Sequence, residues 1–180
     1  MTAAQADLQA EILEMRKGLR IDRPETADGA ALWRIAKDSG ELDLNSSYSY
    51  LLWCRDFAGT SAVARAEPDG RPVGFVTAYL RPDHPRTLLV WQVAVDASHR
   101  GRGLAAQLLD ALTARVRAEH GVTRIETTIT PGNTASERLF TSYARRHGAD
   151  VEREVLFETS QFPDGPHNPE VLYRIGPLSV

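Results

Sequence analysis

Arg100-Gly101-Arg102-Gly103-Leu104-Ala105 is the segment of this chain whose residue types and spacing say most about chemistry. It lies between a strand-like run and a helical run. A turn at such a place points several backbone N–H groups outward at a helix N-terminus, and the helix dipole adds a partial positive charge. Gly101 and Gly103 carry no side chain to block an anion, and Arg100 and Arg102 add charge-assisted hydrogen bonds. The turn suits a pyrophosphate. Taken alone it also reads as a glycine-rich connector with solvated arginines. It differs from a dinucleotide fingerprint, which begins with G-x-G-x-x-G near the first strand of a βαβ unit. It also lacks the Lys-Ser/Thr of a nucleoside-triphosphate loop.

Other residues offer polar or nucleophilic groups. Asp43, Asn45, Ser46, Ser47 and Tyr48 form a dense polar run ahead of an apolar helical segment. Asn45, Ser46 and Ser47 are each either a helix cap or part of a binding site. Glu152 and Glu154 share one face of a strand-like run, with Arg153 on the other, and are either functional or a solvated edge. His167 lies in a proline-rich loop. Loop histidines are commonly just exposed, but a loop closing over a pocket is a common seat of function. Cys54 falls on an apolar helix face and reads as core, with no cue for activation. The five histidines and one cysteine show no metal-ligand spacing, so no metal is expected.

The elements that must position these groups follow from periodicity. Residues 1–18 read as a polar N-terminal extension, in which Leu8, Ile12 and Met15 recur at helical spacing. Leu19 to Arg23 is a short first strand that stops at Pro24. Thr26 is placed to cap a helix running to about Ser39, ended by Gly40. A second helix covers Ser47 to Phe57, with Tyr50, Leu51, Cys54 and Phe57 as its buried face. Three strands follow, Thr60 to Ala66, Val73 to Leu80 and Leu88 to Val95. Pro68-Asp69-Gly70 turns between the first two, and a loop over Arg81 to Arg86 separates the second from the third. A helix from Gly103 to His120, a strand from Val122 to Thr130 and a helix from Asn133 to His147 come next. Val151 to Phe157 and Val171 to Ile175 are the last strands, joined by the loop Glu158 to Pro169. The order β-α-α-β-β-β-α-β-α-β-β is that of a mixed sheet with helices on its faces, one domain over residues 19–180.

With 180 residues the chain is long enough to bury a core without staples. A net charge of −3 gives no global basic field for nucleic acid. The basic residues cluster locally, at His99, Arg100 and Arg102 and again at Arg145 and Arg146. No apolar run approaches the ~18 residues of a membrane span. Asp7, Glu11 and Glu14 do not suit a signal peptide, and one cysteine allows no internal disulfide, so a cytoplasmic location is expected.

Arg100, Gly103 and Ala105 match the R-x-x-G-x-G/A motif of the GNAT N-acetyltransferases, and the inferred element order resembles that family throughout the domain. The resemblance implies the GNAT fold, an α/β architecture with a mixed, mostly antiparallel sheet of about seven strands and about four helices on its faces. It implies acetyl-CoA as co-substrate. The turn Arg100 to Ala105, Gly101, Arg102 and Leu104 included, then takes the pyrophosphate. The backbone of Val93, Ala94 and Val95 takes the pantetheine arm. Asn133, with Ala135 and Leu139, resembles the second family motif. The position where many relatives carry a thiolate-protonating tyrosine is Phe140 here. That substitution is compatible with an enzyme using another acid or with an acetyl-CoA-binding domain that does no chemistry.

The acceptor side resembles one branch of the family, the L-2,4-diaminobutyrate acetyltransferases of ectoine synthesis. The resemblance rests on Leu42 to Tyr48, Val90 to Asp96, Pro131 to Asn133, Leu139-Phe140 and Tyr173 to Leu178. It implies acetylation of the side-chain amine of a small diamino acid, by direct attack, in a protein that is commonly a homodimer. Another small diamine or amino acid is the alternative acceptor. Such an acceptor needs anionic groups for its amines and donors for its carboxylate. Asp43, Asn45, Ser46 and Tyr48 are the candidate binding residues. Trp91 is either a wall of the acceptor pocket or core. The attacking amine must lose a proton, and Glu152 or Glu154 is the expected base, with His167 next.

Overall fold

In a computed structural model that describes residues 18–40, 42–163 and 167–178, one sheet of seven strands runs from Leu19 to Gly176. The helix expected around Leu8, Ile12 and Met15 lies outside the described residues. The strands are β1 (Leu19–Asp22), β2 (Ala62–Ala66), β3 (Arg71–Arg81), β4 (His84–Val95), β5 (Arg124–Ile129), β6 (Asp150–Phe157) and β7 (Glu170–Gly176). Their spatial order is β1-β2-β3-β4-β5-β7-β6. All neighbours are antiparallel except β4 and β5, which run parallel. The helices are α1 (Gly29–Ser39), α2 (Ser47–Asp56), α3 (Leu104–His120) and α4 (Thr134–Arg146). The mixed sheet and four helices are those expected from the order of periodic segments.

Strand alternation divides the core into two layers. Val63, Phe75 and Ala94 meet Leu32, Ile35 and Ala36 of α1 and Tyr50 and Cys54 of α2. Ala62, Ala64 and Val76, on the other face, meet Leu104, Leu108, Leu109, Leu112 and Val116 of α3 and Phe140, Tyr143 and Ala144 of α4. Phe140 is therefore core, 2% exposed. Cys54 is buried too, and burial pushes its thiol up to about 11, which removes it as a nucleophile.

Three local expectations are corrected. Thr26 does not cap α1. Its residue opens a 3-10 turn, Thr26–Asp28, and Glu25 and Asp28 cap one another reciprocally. The loop expected over Arg81 to Arg86 is a tight hairpin, with Arg81 opposite His84. Pro82 presets the turn, and Pro85 is accommodated because β5 pairing begins only at Thr87. On α2, Leu51 and Phe57 are 40% and 38% exposed, so only Tyr50 and Cys54 form the buried face. Leu51 instead lies over Gly29 of α1, where a Cβ would come 2.7 Å from its Cδ2.

One ion pair ties the entry of α1 to the sheet. Arg65 on β2 donates to both carboxylate oxygens of Asp28 at 2.7 Å, and Asp28 Oδ2 also accepts from the Glu25 N–H at 2.7 Å. The two side chains are 12% and 6% exposed. Removing the carboxylate leaves a buried guanidinium with only the longer contact to Asp22, 3.6 Å, as an ion pair among the described residues. Asp28→Ala should therefore lower unfolding free energy by about 3–5 kcal/mol in urea titrations. A loss below about 1 kcal/mol would show the pair to be dispensable.

Candidate active site

The site is built on a break between two strands. On β3, Thr77 pairs with Gln92 but the next residue, Ala78, pairs with Val90, so Trp91 is an extra residue in β4. Such a bulge bends its strand and raises its twist. Pairing of β4 with β5 stops at the same level, at Val90–Thr127, while β4 continues to Val95 and β5 to Ile129. The two strands part there and leave a gap between them.

The bulge also reverses the side-chain alternation of β4. Leu88 and Val90 pack in the α3/α4 layer, yet Ala94 packs in the α1/α2 layer. Backbone direction follows from the ladder. The Asp96 N–H donates to Val73 O at 2.8 Å, so the N–H groups of Ala94 and Gln92 face β3, and those of Val93 and Val95 face the gap. Consistently, Val95 O accepts from Arg100 Nε at 3.0 Å rather than from β3.

Because β4 and β5 run parallel, the turns that follow them lie at one end of the sheet. After β4 come the 3-10 turn Ala97–His99, Arg100 to Gly103, and α3. Gly101 and Gly103 hold φ of +75° and +74°, the left-handed region that favours glycine. Gly103 is the N-cap of α3 and no side chain caps it. The Gln107 N–H reaches Gly103 O at 3.1 Å, which leaves the N–H groups of Leu104, Ala105 and Ala106 without an intrahelical acceptor. After β5, Asn133 caps α4, its Oδ1 accepting from the Ser136 N–H at 3.0 Å.

Asp96 anchors the first of these turns. It accepts from the Ser98 N–H at 3.1 Å and from Ser98 Oγ at 2.7 Å, and Arg34 of α1 reaches it at 3.1 Å. These donors, Ser98 first, hold its carboxyl down at about 2.

On the α1/α2 side, residues far apart in sequence converge. His167 Nε2 lies 3.5 Å from Asp43 Oδ2 and 3.9 Å from Glu170 Oε1. Its Nδ1 is 2.5 Å from Asn168 O, and its ring stacks on Phe162 at 3.9 Å. The Asn168 carbonyl, then Asp43 and Glu170, raise the imidazole pKa. Glu170 begins β7, beside the last residues of β5, and so stands at the end of the sheet where the gap opens. Two carboxylates around one imidazole suit a cationic guest.

The remaining candidates distribute around this group. Trp91 is 51% exposed, and its ring stacks on Trp53 of α2 at 6.2 Å. Tyr48 is 65% exposed. Ser46 is the N-cap of α2 but its hydroxyl meets Ser49 Oγ at 3.1 Å, not a backbone N–H. Asn45 contacts the hydroxyl of Tyr50. Glu152 and Glu154 do share a face, but Glu154 is ion-paired with Arg174, which lowers its pKa. Arg174 also reaches Glu126 at 3.4 Å. No contact joins Glu152 or Glu154 to Asp43, His167 or Glu170 among the described residues. Sequence reasoning missed Glu170. Its one signal was an acidic residue three positions after His167 at the start of a strand.

The sequence model of the Acetyltransferase (GNAT) family matches residues 29–144, the stretch that carries both parting strands and the uncapped helix. The chain belongs to this family. Among its GNAT relatives, the L-2,4-diaminobutyric acid acetyltransferase of Streptomyces avermitilis is 80% identical over 179 residues, covering 99% of each chain. That of Streptomyces coelicolor is 70% identical over 180 residues, covering 100% of this chain and 99% of its own. Among solved structures, the diaminobutyrate acetyltransferase EctA of Paenibacillus lautus, in complex with its substrate L-2,4-diaminobutyric acid and coenzyme A, superimposes with a TM-score of 0.83. It is 43% identical, with 90% of this chain and 96% of that chain covered.

Asp96 gives the GNAT turn a pH signature. Its folded pKa of about 2 is below its ordinary value of 3.8, so its contribution to stability is complete above pH ~4 and is lost as pH falls through about 2. Asp96→Asn should flatten the stability–pH curve in that window. It should also weaken acetyl-CoA binding by calorimetry at pH 7. Identical acid profiles for variant and wild type would count against this anchor.

Proposed function

We propose that this protein transfers the acetyl group of acetyl-CoA to the side-chain amine of L-2,4-diaminobutyrate, at carbon 4, by direct attack in a ternary complex. The observation that carries the reading is the Asp43–His167–Glu170 group on the α1/α2 side, at the end of the sheet where β4 and β5 part and the uncapped start of α3 stands. One cluster is anionic and suits an amine; the other is a helix N-terminus with Arg100 and Arg102 and suits a pyrophosphate. The kinship with diaminobutyrate acetyltransferases supports the same pairing of substrates.

In this reading acetyl-CoA lies in the gap. Its pyrophosphate meets the turn from Arg100 through Gly101, Arg102, Gly103 and Leu104 to Ala105, with Asn133 on the β5 side. Its arm pairs with β4 at Val93 to Val95, Ala94 contributing surface while its own N–H serves β3. The Val93 N–H polarises the thioester carbonyl. Asp43 and Glu170 hold the acceptor's ammonium groups, with Trp91 and Tyr48 as walls. His167 takes the proton from the attacking amine, the two carboxylates stabilise the imidazolium that forms, and as the new C–N bond forms the thioester C–S bond breaks and CoA leaves as its thiolate. Glu154 is committed to Arg174 and neither it nor Glu152 joins the Asp43–His167–Glu170 group, which favours His167 as the base. No covalent enzyme intermediate and no metal is invoked. The active form is a cytoplasmic homodimer, for which Val155, Leu156 and Phe157, exposed on the edge strand β6, offer apolar surface. Light scattering should return twice the chain mass.

The decisive test is incubation with acetyl-CoA and a panel of diamino acids, with the acetyl group located by NMR. Acetylation at carbon 4 of diaminobutyrate should dominate; preference for another amine would overturn the acceptor.

Two variants test the halves separately. Gly103→Ala forces a side chain into a left-handed backbone at a strain of about 1–2 kcal/mol. It also puts a methyl group where nothing else lies within 4 Å, in the path of the pyrophosphate. Acetyl-CoA affinity should fall while the fold persists. An unchanged Kd in the folded variant would remove this turn from the cofactor site.

His167→Gln should lose kcat by roughly 10²–10⁴-fold, with the loss shrinking at alkaline pH where more substrate amine is already neutral. Wild-type kcat should fall as pH drops through the raised pKa of His167, because imidazolium cannot accept a proton. Glu152→Gln and Glu154→Gln should stay near wild type. A comparable loss in either would return the base to β6.

A further inference from the structure

We infer that Gln92 is a positioning residue for the acceptor: through its side chain, β4 sets where the Asp43 loop sits relative to the thioester. The inference rests on the acceptor reading proposed above. Gln92 is 6% exposed and follows the bulged Trp91 directly. Its Nε2 donates to Asp43 O at 2.9 Å. Its Oε1 accepts from the hydroxyl of Tyr50 at 3.0 Å. A backbone carbonyl can only accept, so the amino end of the amide must face Asp43, and the oxygen end is left for Tyr50. Tyr50 is 1% exposed, packs edge-on against Phe75 at 6.2 Å, and its hydroxyl also meets Asn45.

The loop from Leu42 to Ser46 is thus held at Asp43 by a buried amide on β4 that Tyr50 in turn fixes. Asp43 needs that support. Its side chain is 89% exposed, and it reaches His167 only at the long distance of 3.5 Å. Its carboxylate is placed by its backbone, and its backbone is placed by Gln92. The residues flanking Gln92 are Trp91, the proposed pocket wall, and Val93, whose N–H faces the gap. A single planar amide therefore links acceptor loop, wall and carbonyl-polarising N–H as one rigid unit. This geometry exists only because of the bulge. Without the extra residue, position 92 would point toward α3 with Val90.

The chemistry of the amide is specific. Glutamate at position 92 would still accept from Tyr50 but would offer an acceptor to the Asp43 carbonyl. Leucine would leave both partners unpaired. Loss of one of these buried hydrogen bonds should loosen the loop and misplace the carboxylate that orients the amine.

The test uses Gln92→Glu, Gln92→Leu and Tyr50→Phe in the full chain. Each should raise KM for diaminobutyrate by about tenfold or more, with KM for acetyl-CoA within about twofold of wild type. The Gln92 variants should also discriminate less between diaminobutyrate and its homologue one methylene longer. Gln92→Asn, which keeps both hydrogen-bonding ends on a shorter stem, should recover part of the loss. If the Gln92 variants do not fold, Tyr50→Phe, which removes a single hydroxyl, decides the question by the same split of KM values. Lower thermal stability with unchanged KM values would assign Gln92 to packing and overturn the inference, as would an equal rise in both. A wild-type protein that does not acetylate diaminobutyrate would instead fail the acceptor reading itself, which separates the two outcomes.

Discussion

At Trp91 one residue of β4 has no partner on β3, and the rest of the site depends on how the strand absorbs it. A ladder cannot skip a residue without bending. β4 bends away from β5 at the level where their pairing ends. That separation exposes the outward backbone groups of Val93 and Val95, which in an unbroken sheet would be consumed by β5. It also changes which side of the sheet each later side chain faces. A polar amide enters the α1/α2 layer at Gln92, and Ala94 follows it into the same layer. One inserted residue thus opens a gap, leaves backbone groups facing it and turns a side chain toward the Asp43 loop.

Two groups of opposite charge character stand at this end of the sheet. The start of α3 is a cluster of uncompensated N–H groups flanked by Arg100 and Arg102, which suits an anionic cofactor. The opposing group carries two carboxylates around an imidazole, which suits an amine. Both stand at the end of the sheet where the parallel strands β4 and β5 finish. An antiparallel pair would have put its turns at opposite ends, and the two groups would stand apart.

Ion pairs connect this end of the sheet to its helices. Arg34 of α1 reaches Asp96 in the turn before α3, so the helix layer on one face is tied to the glycine turn that opens the helix on the other. Arg65 and Asp28 tie the entry of α1 to β2. Further down, Glu126 is 4% exposed between Arg81 at 2.9 Å and Arg174 at 3.4 Å, and Arg174 continues to Glu154. This chain of alternating charge satisfies a carboxylate that would be costly to bury alone. It also gives Glu154 a partner on the neighbouring strand.

Local patterns are legible without a fold. Helices and strands of this protein follow from 3.6- and 2-residue periodicity, and the glycine turn is recognisable because positive φ and an open helix start both demand small residues at fixed spacing. The polar run around Asp43 and the core placement of Cys54 follow from composition and helical spacing in the same way. What sequence could not decide is anything that depends on register between distant segments. The bulge at Trp91 is invisible in Leu88-Leu89-Val90-Trp91-Gln92-Val93-Ala94-Val95, because a strand apolar on both faces apart from Gln92 reads the same with or without an extra residue. Glu170 and Asp43 stand far apart along the chain, and only the placement of β7 beside β5 and the tether of the Asp43 loop to Gln92 bring them around His167. Glu154 kept the face that alternation assigned, but its partner Arg174 comes from a strand paired in space. Periodicity is a property of neighbours along the chain; a site is a property of neighbours across it.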